Sequence, residues 1–252
     1  MTSQVLMPSP FAAVELQPLQ MPNGQASSRS SVVLDPSSQA LEVGVVSDDY
    51  KLVPNTSVIQ IAEELLHDSG HEFSAMETRF TGRRFMRRYR LTNVEGEVKV
   101  GDVVALTLDA VNSYDGSTTF GLEFNAVRLV CSNGMMLSFL LGGYRFKHWG
   151  DRDFTDEFGH AARKLAKVGT RLHQALPLLT ELTSKRMKRV DIQRFFRETA
   201  LPIITQAKIF NTIDEDTAWG IYNATTDVLT RQESFNADKQ NRIASQWFLS
   251  GN

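Results

Sequence analysis

Cysteine and long apolar runs are scarce in this chain of 252 residues. Its one cysteine, Cys131, cannot form an internal disulfide or build a cysteine-rich zinc site. The longest apolar runs, such as "MMLSFLLGGY", fall far short of the roughly 20 residues that cross a bilayer. The N-terminus also lacks the basic start and apolar core of a signal peptide. We therefore expect a cytoplasmic protein with no membrane partner.

Enzyme signatures are equally scarce. His67 and His71 lie four residues apart, but no further metal-ligand pattern follows them. Cys131 ends an apolar segment and is more typical of a small buried residue than of a nucleophile. Four acidic side chains between residues 151 and 157 favour a helix start over a divalent-ion site. No Walker or dinucleotide glycine motif is present, so we expect no catalysis, no cofactor and no metal.

Charge is unevenly distributed along the chain. Residues 1–78 carry a net charge of −8, residues 79–200 carry +8 and residues 201–252 carry −2. A basic block thus lies inside an acidic envelope, although the whole chain is nearly neutral. Such segregation is typical of a surface that binds a polyanion, and it also suits solubility or subunit contacts.

The stretch "RFTGRRFMRRYR" (residues 79–90) holds six arginines and three aromatic residues. Alternation along a strand would place Arg83 and Arg87 with Phe85 and Tyr89 on one face. Arg84, Arg88 and Arg90 would lie on the other face together with Met86. Buried guanidinium groups need partners, so we expect at least one row to face solvent or an anion. Arginines on phosphates beside stacking aromatic rings are typical of single-strand binding; a solvated or intersubunit face is the alternative.

Secondary-structure signals divide the chain into an arm and one folded domain. Residues 1–45 are rich in Ser, Gln and Pro without a sustained period, which predicts a disordered or extended arm. Residues 46–252 read as a single α+β domain, with a helix and a meander in 46–150 and a helical part in 151–252. We expect an N-terminal helix ending at Gly70, an antiparallel meander of about four to five strands, and a bundle of C-terminal helices packed on the sheet.

The meander is predicted from five segments between turn signals. They are "FSAMETRF", "RRFMRRYRL", "DVVALTLDAVNS", "TTFGLEFNAVRLVCS" and "MMLSFLL". Asp115-Gly116 predicts a tight hairpin between the third and the fourth segment.

A basic helix face follows the meander. Lys164, Lys167 and Arg171 recur at helical spacing beside an apolar stripe, which favours either a solvated outer face or part of a binding surface. The candidate nucleic-acid contacts are therefore Arg83, Arg84, Phe85, Arg87, Arg88, Tyr89, Arg90, Arg128, Lys164, Lys167 and Arg171.

Four motifs carry a family resemblance. "NSYDGSTTF", "VRLVCSNGM", "TAWGIYNATTDVLTRQ" and "RIASQWF" occur in the order of the phage/plasmid-like family catalogued as domain of unknown function 932, which the chain resembles from about Tyr50 to Gly251. The matching positions are Asn112, Ser113, Asp115, Gly116, Arg128, Cys131, Asn133, Asn223, Thr226 and Trp247. Membership implies phage, prophage or plasmid origin, hence the host cytoplasm for a phage protein. The family has no settled activity.

The order of elements is similar to a second group. A helix, a meander and a long basic helix also form the core of single-strand annealing recombinases of the Rad fifty-two kind. That likeness implies oligomeric rings that hold single-stranded DNA between the hairpin and the helix. We therefore expect a single-stranded DNA-binding protein of phage or plasmid replication and recombination, with strand annealing as a further activity and a homo-oligomer as its form. The alternatives are a non-enzymatic interaction protein and, third, a hydrolase or nuclease without a recognisable motif.

Overall fold

The computed structural model describes residues 9–38, 40–130, 133–149, 167–232 and 234–250. These residues form nine strands in two antiparallel sheets and seven helices. The strands are β1 (Val14–Gln20), β2 (Ala26–Leu34), β3 (Leu41–Ser47), β4 (Phe73–Phe80), β5 (Arg84–Lys99), β6 (Asp102–Ser113), β7 (Phe120–Arg128), β8 (Asn133–Met135) and β9 (Gly143–Phe146). The helices are α1 (Asn55–Asp68), α2 (Ser138–Leu141), α3 (Val168–Ser184), α4 (Arg189–Thr199), α5 (Ile203–Thr212), α6 (Ala218–Thr230) and α7 (Phe235–Leu249). The predicted α+β class is confirmed.

The N-terminal segment is an ordered sheet. Strands β1, β2 and β3 pair in sequence order, so the expectation of a disordered or merely extended arm is wrong for the described part of residues 1–45. Val32, Leu34 and Val43 form a small core with Tyr50 and with Tyr114. Tyr114 belongs to the β6–β7 hairpin of the other sheet. Because Tyr114, which is distant in the sequence, completes this core, the composition of residues 1–45 underestimates the apolar surface that this segment buries.

The larger sheet contains the predicted meander. Its strand order is β4-β5-β6-β7-β8, and β9 pairs with the other end of β7. Strands β4 and β6 coincide with two of the predicted segments. The expected hairpin forms with Gly116 at a φ of +69°, which glycine adopts without steric cost. "MMLSFLL" is wrong as a strand: it spans the end of β8 and the one-turn helix α2, since a short apolar run suits either structure.

The two faces of the larger sheet differ in character. Cross-strand partners lie on the same face, and the partners Tyr89, Leu108 and Phe124 are buried in one apolar core with α1. The Tyr89 hydroxyl also donates to Glu63 of α1 at 2.8 Å. The opposite face carries a row of partners in which Glu77, Arg88, Asp109 and Glu123 follow one another across β4 to β7. We call these four residues the charged row.

Helix α6 connects the C-terminal helices to the sheet. Eleven of its residues are buried, and it contacts α3, α5, α7 and β8. The indole of Trp219 donates to Asp102 at the start of β6 (2.9 Å), and Arg128 of β7 pairs with the same carboxylate at 2.5 Å. The C-terminal helices thus pack on the curled sheet, as predicted.

A buried polar junction joins the two sheets. The Tyr50 hydroxyl donates to the Ser113 carbonyl at 2.7 Å. The Asn112 amide donates to the Val53 carbonyl and to the Asn55 side chain, both at 2.8 Å. His148 stacks on Tyr50 with ring centroids 4.8 Å apart. The "NSYDGS" motif therefore builds the joint between the sheets.

In the described ranges, no helix combines the length and the apolar character needed to cross a membrane.

The junction predicts a pH-dependent stability. His148 is 7% exposed, its Nδ1 donates to the Lys51 carbonyl (3.1 Å), and its buried Nε2 has no partner among the residues that the structure describes. Burial lowers the pKa of His148, so the unfolded chain binds this proton first as the pH falls. The contribution of neutral His148 to the free energy of unfolding is thus complete above about pH 6.5. Below that pH the free energy of unfolding falls, by at most about 1.4 kcal/mol per pH unit.

Chemical denaturation at several pH values measures this effect. His148→Phe, which keeps a stacking ring, should flatten the profile between pH 6.5 and 5. Exposed His173, changed to Gln, is the control and should leave the profile as it is. Identical profiles for the parent and His148→Phe would contradict the assignment.

Candidate functional site

A cavity of about 470 Å³ lies between the polar face of the larger sheet and α7. Its cationic lining consists of Arg84, Arg145, Lys239 and Arg242, and its carboxylates are Asp109, Glu123 and Asp238. The apolar part is formed by Met86, Val111, Met136 and Phe235, and Ser117, Thr118 and Asn236 add polar groups. The cavity therefore has charged walls and an apolar surface that a ring can contact.

Arg88 and Asp109 form the buried centre of the charged row. Two bonds of 2.7 Å join the guanidinium to the two carboxylate oxygens, and the Asn125 amide donates to Asp109 at 2.9 Å. Arg88 is 6% exposed and Asp109 is 1% exposed. Bidentate pairing of this kind offsets the cost of burying both charges. The positive charge of Arg88 is consequently neutralised by Asp109 inside the protein.

Glu123 lies beside Asp109 in the charged row, which places two carboxylates opposite each other. Arg145 of β9 and Arg242 of α7 both pair with Glu123, the latter at 2.5 Å. Burial lowers the pKa of both guanidinium groups, and the charge of Arg242 lowers the pKa of Arg145 further. Two guanidinium groups thus share one carboxylate.

A close backbone approach positions Arg145. A Cβ atom on Gly121 would collide with the carbonyl oxygen of Tyr144. Only glycine therefore lets β9 pair so closely with β7.

A second ion-pair group connects β4 to α7. Arg79 pairs with Glu77 at 2.6 Å and with Asp238 at 2.8 Å. Glu77 also reaches Arg88 at 3.5 Å. Burial raises the pKa of Asp238, although Arg79 and Arg88 oppose that shift. These pairs hold the first turns of α7 over the polar face.

Two cations at the mouth of the cavity have no carboxylate partner among the described residues. Arg84 donates to the Ser117 hydroxyl at 2.7 Å and lies 5.9 Å from the centroid of the Phe235 ring. Lys239 is exposed on α7. Of the residues that the structure describes, six cations and four carboxylates line the site or pair with its lining, so two positive charges are in excess. The cations are Arg79, Arg84, Arg88, Arg145, Lys239 and Arg242, and the carboxylates are Glu77, Asp109, Glu123 and Asp238.

The arginine-rich stretch is divided between the two faces. Arg84 lines the cavity and Arg88 lies behind it, whereas Arg90 pairs with Glu95 at 2.5 Å further along the sheet. Arg87 lies on the α1 side, where its guanidinium is 5.5 Å from the Tyr89 ring. Arg83 is exposed before β5 begins.

The proposed stacking aromatics are not accessible. Phe85 is 1% exposed and Tyr89 is 0% exposed, both on the apolar side. Their predicted role in stacking on bases is therefore wrong for this conformation, because their rings are used in the core. Phe235, which sequence reasoning missed, is the half-buried ring at the mouth.

The other predicted contacts lie outside the cavity. Arg128 pairs with Asp102, and Arg171 donates to the Leu141 carbonyl at 2.9 Å. Lys167 is exposed just before α3. Lys164 lies outside the described residues, as do Cys131 and the acidic cluster of 151–157. The described residues among the candidate nucleic-acid contacts thus do not line one cavity.

Two cavity carboxylates can be recognised from their position in the sequence, although the overall composition does not point to them. Asp109 interrupts the apolar strand "VVALTLDAV", and Glu123 interrupts "FGLEFNAV". A charge within a strand that is buried on both faces indicates a partner or a ligand. Arg145, Asp238 and Arg242 carry no comparable local signal. In the parts of the chain that the structure describes, no group of three His, Cys, Asp or Glu side chains is arranged to hold a metal ion.

The family model described as Domain of unknown function (DUF932) matches residues 42–247. The chain belongs to this family. The DUF932 match contains every residue that lines the cavity. No curated protein and no solved structure matches the chain.

Most described DUF932 motif positions are structural. Asn112 and Ser113 build the junction between the sheets. Thr226 donates to the Asn223 carbonyl within α6 at 3.0 Å, and Trp247 donates to Glu198 at 2.7 Å. The motifs therefore report the architecture of the family more than its binding chemistry.

The charged row predicts a large stability effect at Asp109. Asp109→Ala leaves Arg88 buried without its main partner and should lower the free energy of unfolding by about 3–5 kcal/mol. Asp216→Ala breaks the exposed Arg186–Asp216 pair and should cost at most about 1 kcal/mol. Urea denaturation of both variants measures the difference. Arg88→Met with Asp109→Leu should regain much of the loss; equal costs for the two single variants would contradict the assignment.

Proposed function

We propose that the protein binds single-stranded DNA at the mouth of the cavity. The observation that carries this proposal is the excess of positive charge around the cavity together with the half-buried ring of Phe235 at its mouth. Arginine and lysine side chains bind backbone phosphates, and an aromatic ring stacks on bases of any sequence. Arg84 and Lys239 are the cations best able to contact phosphate, because neither pairs with a carboxylate in the described parts of the chain.

The position of the cavity supports the same function. Ser117 and Thr118 of the β6–β7 hairpin form one side, and α7 forms the other. A strand between a hairpin and a helix is also the arrangement implied by the likeness to single-strand annealing recombinases. Here the helix is α7 and not the segment of residues 164–171. Within phage or plasmid replication and recombination, such a site would hold single strands for annealing without ATP.

Matched lysine variants on two helices test this site. Lys239→Gln removes a cation at the mouth, and Lys208→Gln removes an exposed cation of α5 outside the cavity. Fluorescence anisotropy with a labelled single-stranded oligonucleotide at several salt concentrations gives affinity and salt slope. Lys239→Gln should weaken binding and reduce the slope by about 0.7, the value for one lost phosphate contact on a single strand. Lys208→Gln should match the parent.

Arg84→Gln should act like Lys239→Gln. Equal effects of Lys208→Gln and Lys239→Gln would place the binding elsewhere. No binding by the parent at low salt would reject the function.

A second candidate function, protein interaction through self-association, is favoured by an apolar surface on α5. Ile203, Ile204 and Phe210 are 75%, 69% and 51% exposed. A groove of about 330 Å³ lies beside them and is lined by Arg189 and Phe196, among others. Exposed apolar groups that cluster mark interaction surfaces.

A second copy of the chain is the occupant that the charges favour. A groove beside α1 is lined by Phe11 and Ile59 and bears two carboxylates, Glu63 and Glu64, beside one cation, Arg87. Its apolar lining and acidic side chains complement the α5 surface, which carries Arg189. This contact would be head-to-tail, and it supports the homo-oligomer that the sequence leads us to expect.

Light scattering coupled to gel filtration tests self-association. Ile203→Gln with Ile204→Gln should shift the parent oligomer towards the monomer, because the contact loses its apolar area. Val100, which is 97% exposed away from this surface, provides the control Val100→Gln, and its mass should equal that of the parent. A monomeric parent at high concentration would reject this candidate.

The third class, a hydrolase or nuclease, would use Cys131 or the acidic cluster of residues 151–157. Both lie outside the described residues, so this class gains no support from the described geometry.

A further inference from the structure

We infer that the cavity is a site for a nucleotide that ends in a phosphate monoester, so that a single strand is held by its phosphorylated end. The inference rests on the proposed function and specifies which part of the strand enters the site. The chemical group that the site would recognise is a terminal phosphate on one nucleotide. Its source is either the end of a DNA strand or a free nucleoside monophosphate.

The excess charge matches a monoester better than a diester. An internal phosphodiester carries one negative charge, whereas a phosphate monoester carries about 1.5 to 2 at pH 7. Among the residues that the structure describes, the cavity lining and the side chains paired with it hold six cations and four carboxylates, an excess of two positive charges. A dianion would neutralise the site, and a diester would leave it positive.

The donors are arranged to meet a terminal phosphate. Arg145 and Arg242 share Glu123, so each has N–H groups beyond those that one carboxylate can accept. Each guanidinium also raises the electrostatic cost of the other. An oxyanion between them offsets that repulsion and adds to the attraction that Asp109 and Asp238 already exert on Arg242.

The volume and the lining suit one nucleotide. Ligand sites commonly measure roughly 300–1,000 Å³, and this cavity measures about 470 Å³. Met86, Val111 and Met136 provide an apolar surface, and Phe235 provides a ring. A base can lie on these groups while its phosphate meets the arginines.

Oligonucleotides of one sequence test the inference. One carries a 5′-phosphate, one a 3′-phosphate, and one has hydroxyls at both ends; each is labelled internally. We expect a phosphorylated end to bind about tenfold more tightly than the hydroxyl form, the effect of one charge-assisted contact. Because the second pKa of a phosphate monoester is about 6, this ratio should fall when the pH is lowered from 7.5 to 5.5.

Competitors distinguish the two sources of the phosphate. Deoxyadenosine monophosphate should displace the labelled strand, and deoxyadenosine should not. Displacement by inorganic phosphate at the same concentration as the nucleotide would reduce the site to a simple anion site and overturn the inference.

Arginine variants locate the preference. Arg145→Gln should reduce the ratio between phosphorylated and hydroxyl strands towards one, while Arg145→Lys should keep part of it. Arg145 is 42% exposed at its side chain, so the variant is expected to fold, and circular dichroism checks this. Arg231→Gln removes an arginine of an exposed ion pair outside the cavity and should keep the full ratio.

The failure of the inference and the failure of the proposed function give different experimental results. Equal affinities for all three ends, without displacement by the nucleotide, would overturn the inference and leave single-strand binding intact. If no oligonucleotide binds while the nucleotide raises the melting temperature, DNA binding is rejected and the nucleotide site is supported. If neither ligand binds, both are rejected.

Discussion

The charged row across the larger sheet is the constraint on which the rest of the site depends. Asp109 and Glu123 lie side by side in the pairing of β6 with β7, and both are almost fully buried. Two adjacent buried carboxylates repel each other, so cations must come from other elements. Arg88 comes from β5, Arg145 from β9 and Arg242 from α7. Electrostatic compensation therefore specifies strand register and the docking of α7 together.

The same compensation decides which cations remain for a ligand. Arg79 and Arg88 form ion pairs with carboxylates of the protein itself, although both belong to the most basic stretch of the chain. Within the described ranges, Arg84 and Lys239 have no carboxylate partner, and Arg145 and Arg242 share one. The proposed anion binding thus rests on unequal pairing around one cavity, and the number of arginines in the sequence is a poor guide to it.

A separate polar network fixes the position of the N-terminal sheet. Tyr50, Asn55 and His148 meet the "NSYDGS" turn through hydrogen bonds and stacking. Buried polar groups cost free energy unless they are paired, so this junction admits few alternative arrangements. Asn112 and Ser113 of the hairpin motif lie in this junction, whereas the cavity lies on the opposite, polar face of the same strands.

Local patterns in the sequence determined α1, the long strands, the hairpin at Asp115-Gly116 and the segregation of charge, because periodicity and turn chemistry act over a few residues. Alternation also showed that arginines would occupy both faces of β5. Only the tertiary structure decided that Phe85 and Tyr89 are core residues, that Tyr114 completes the N-terminal sheet, and that Arg88 is neutralised. The partners that decide these outcomes, Asp109 and Asp238 among them, lie on other strands and on α7. Pairing between distant elements is invisible to a local pattern, and it sets which charges are left for function.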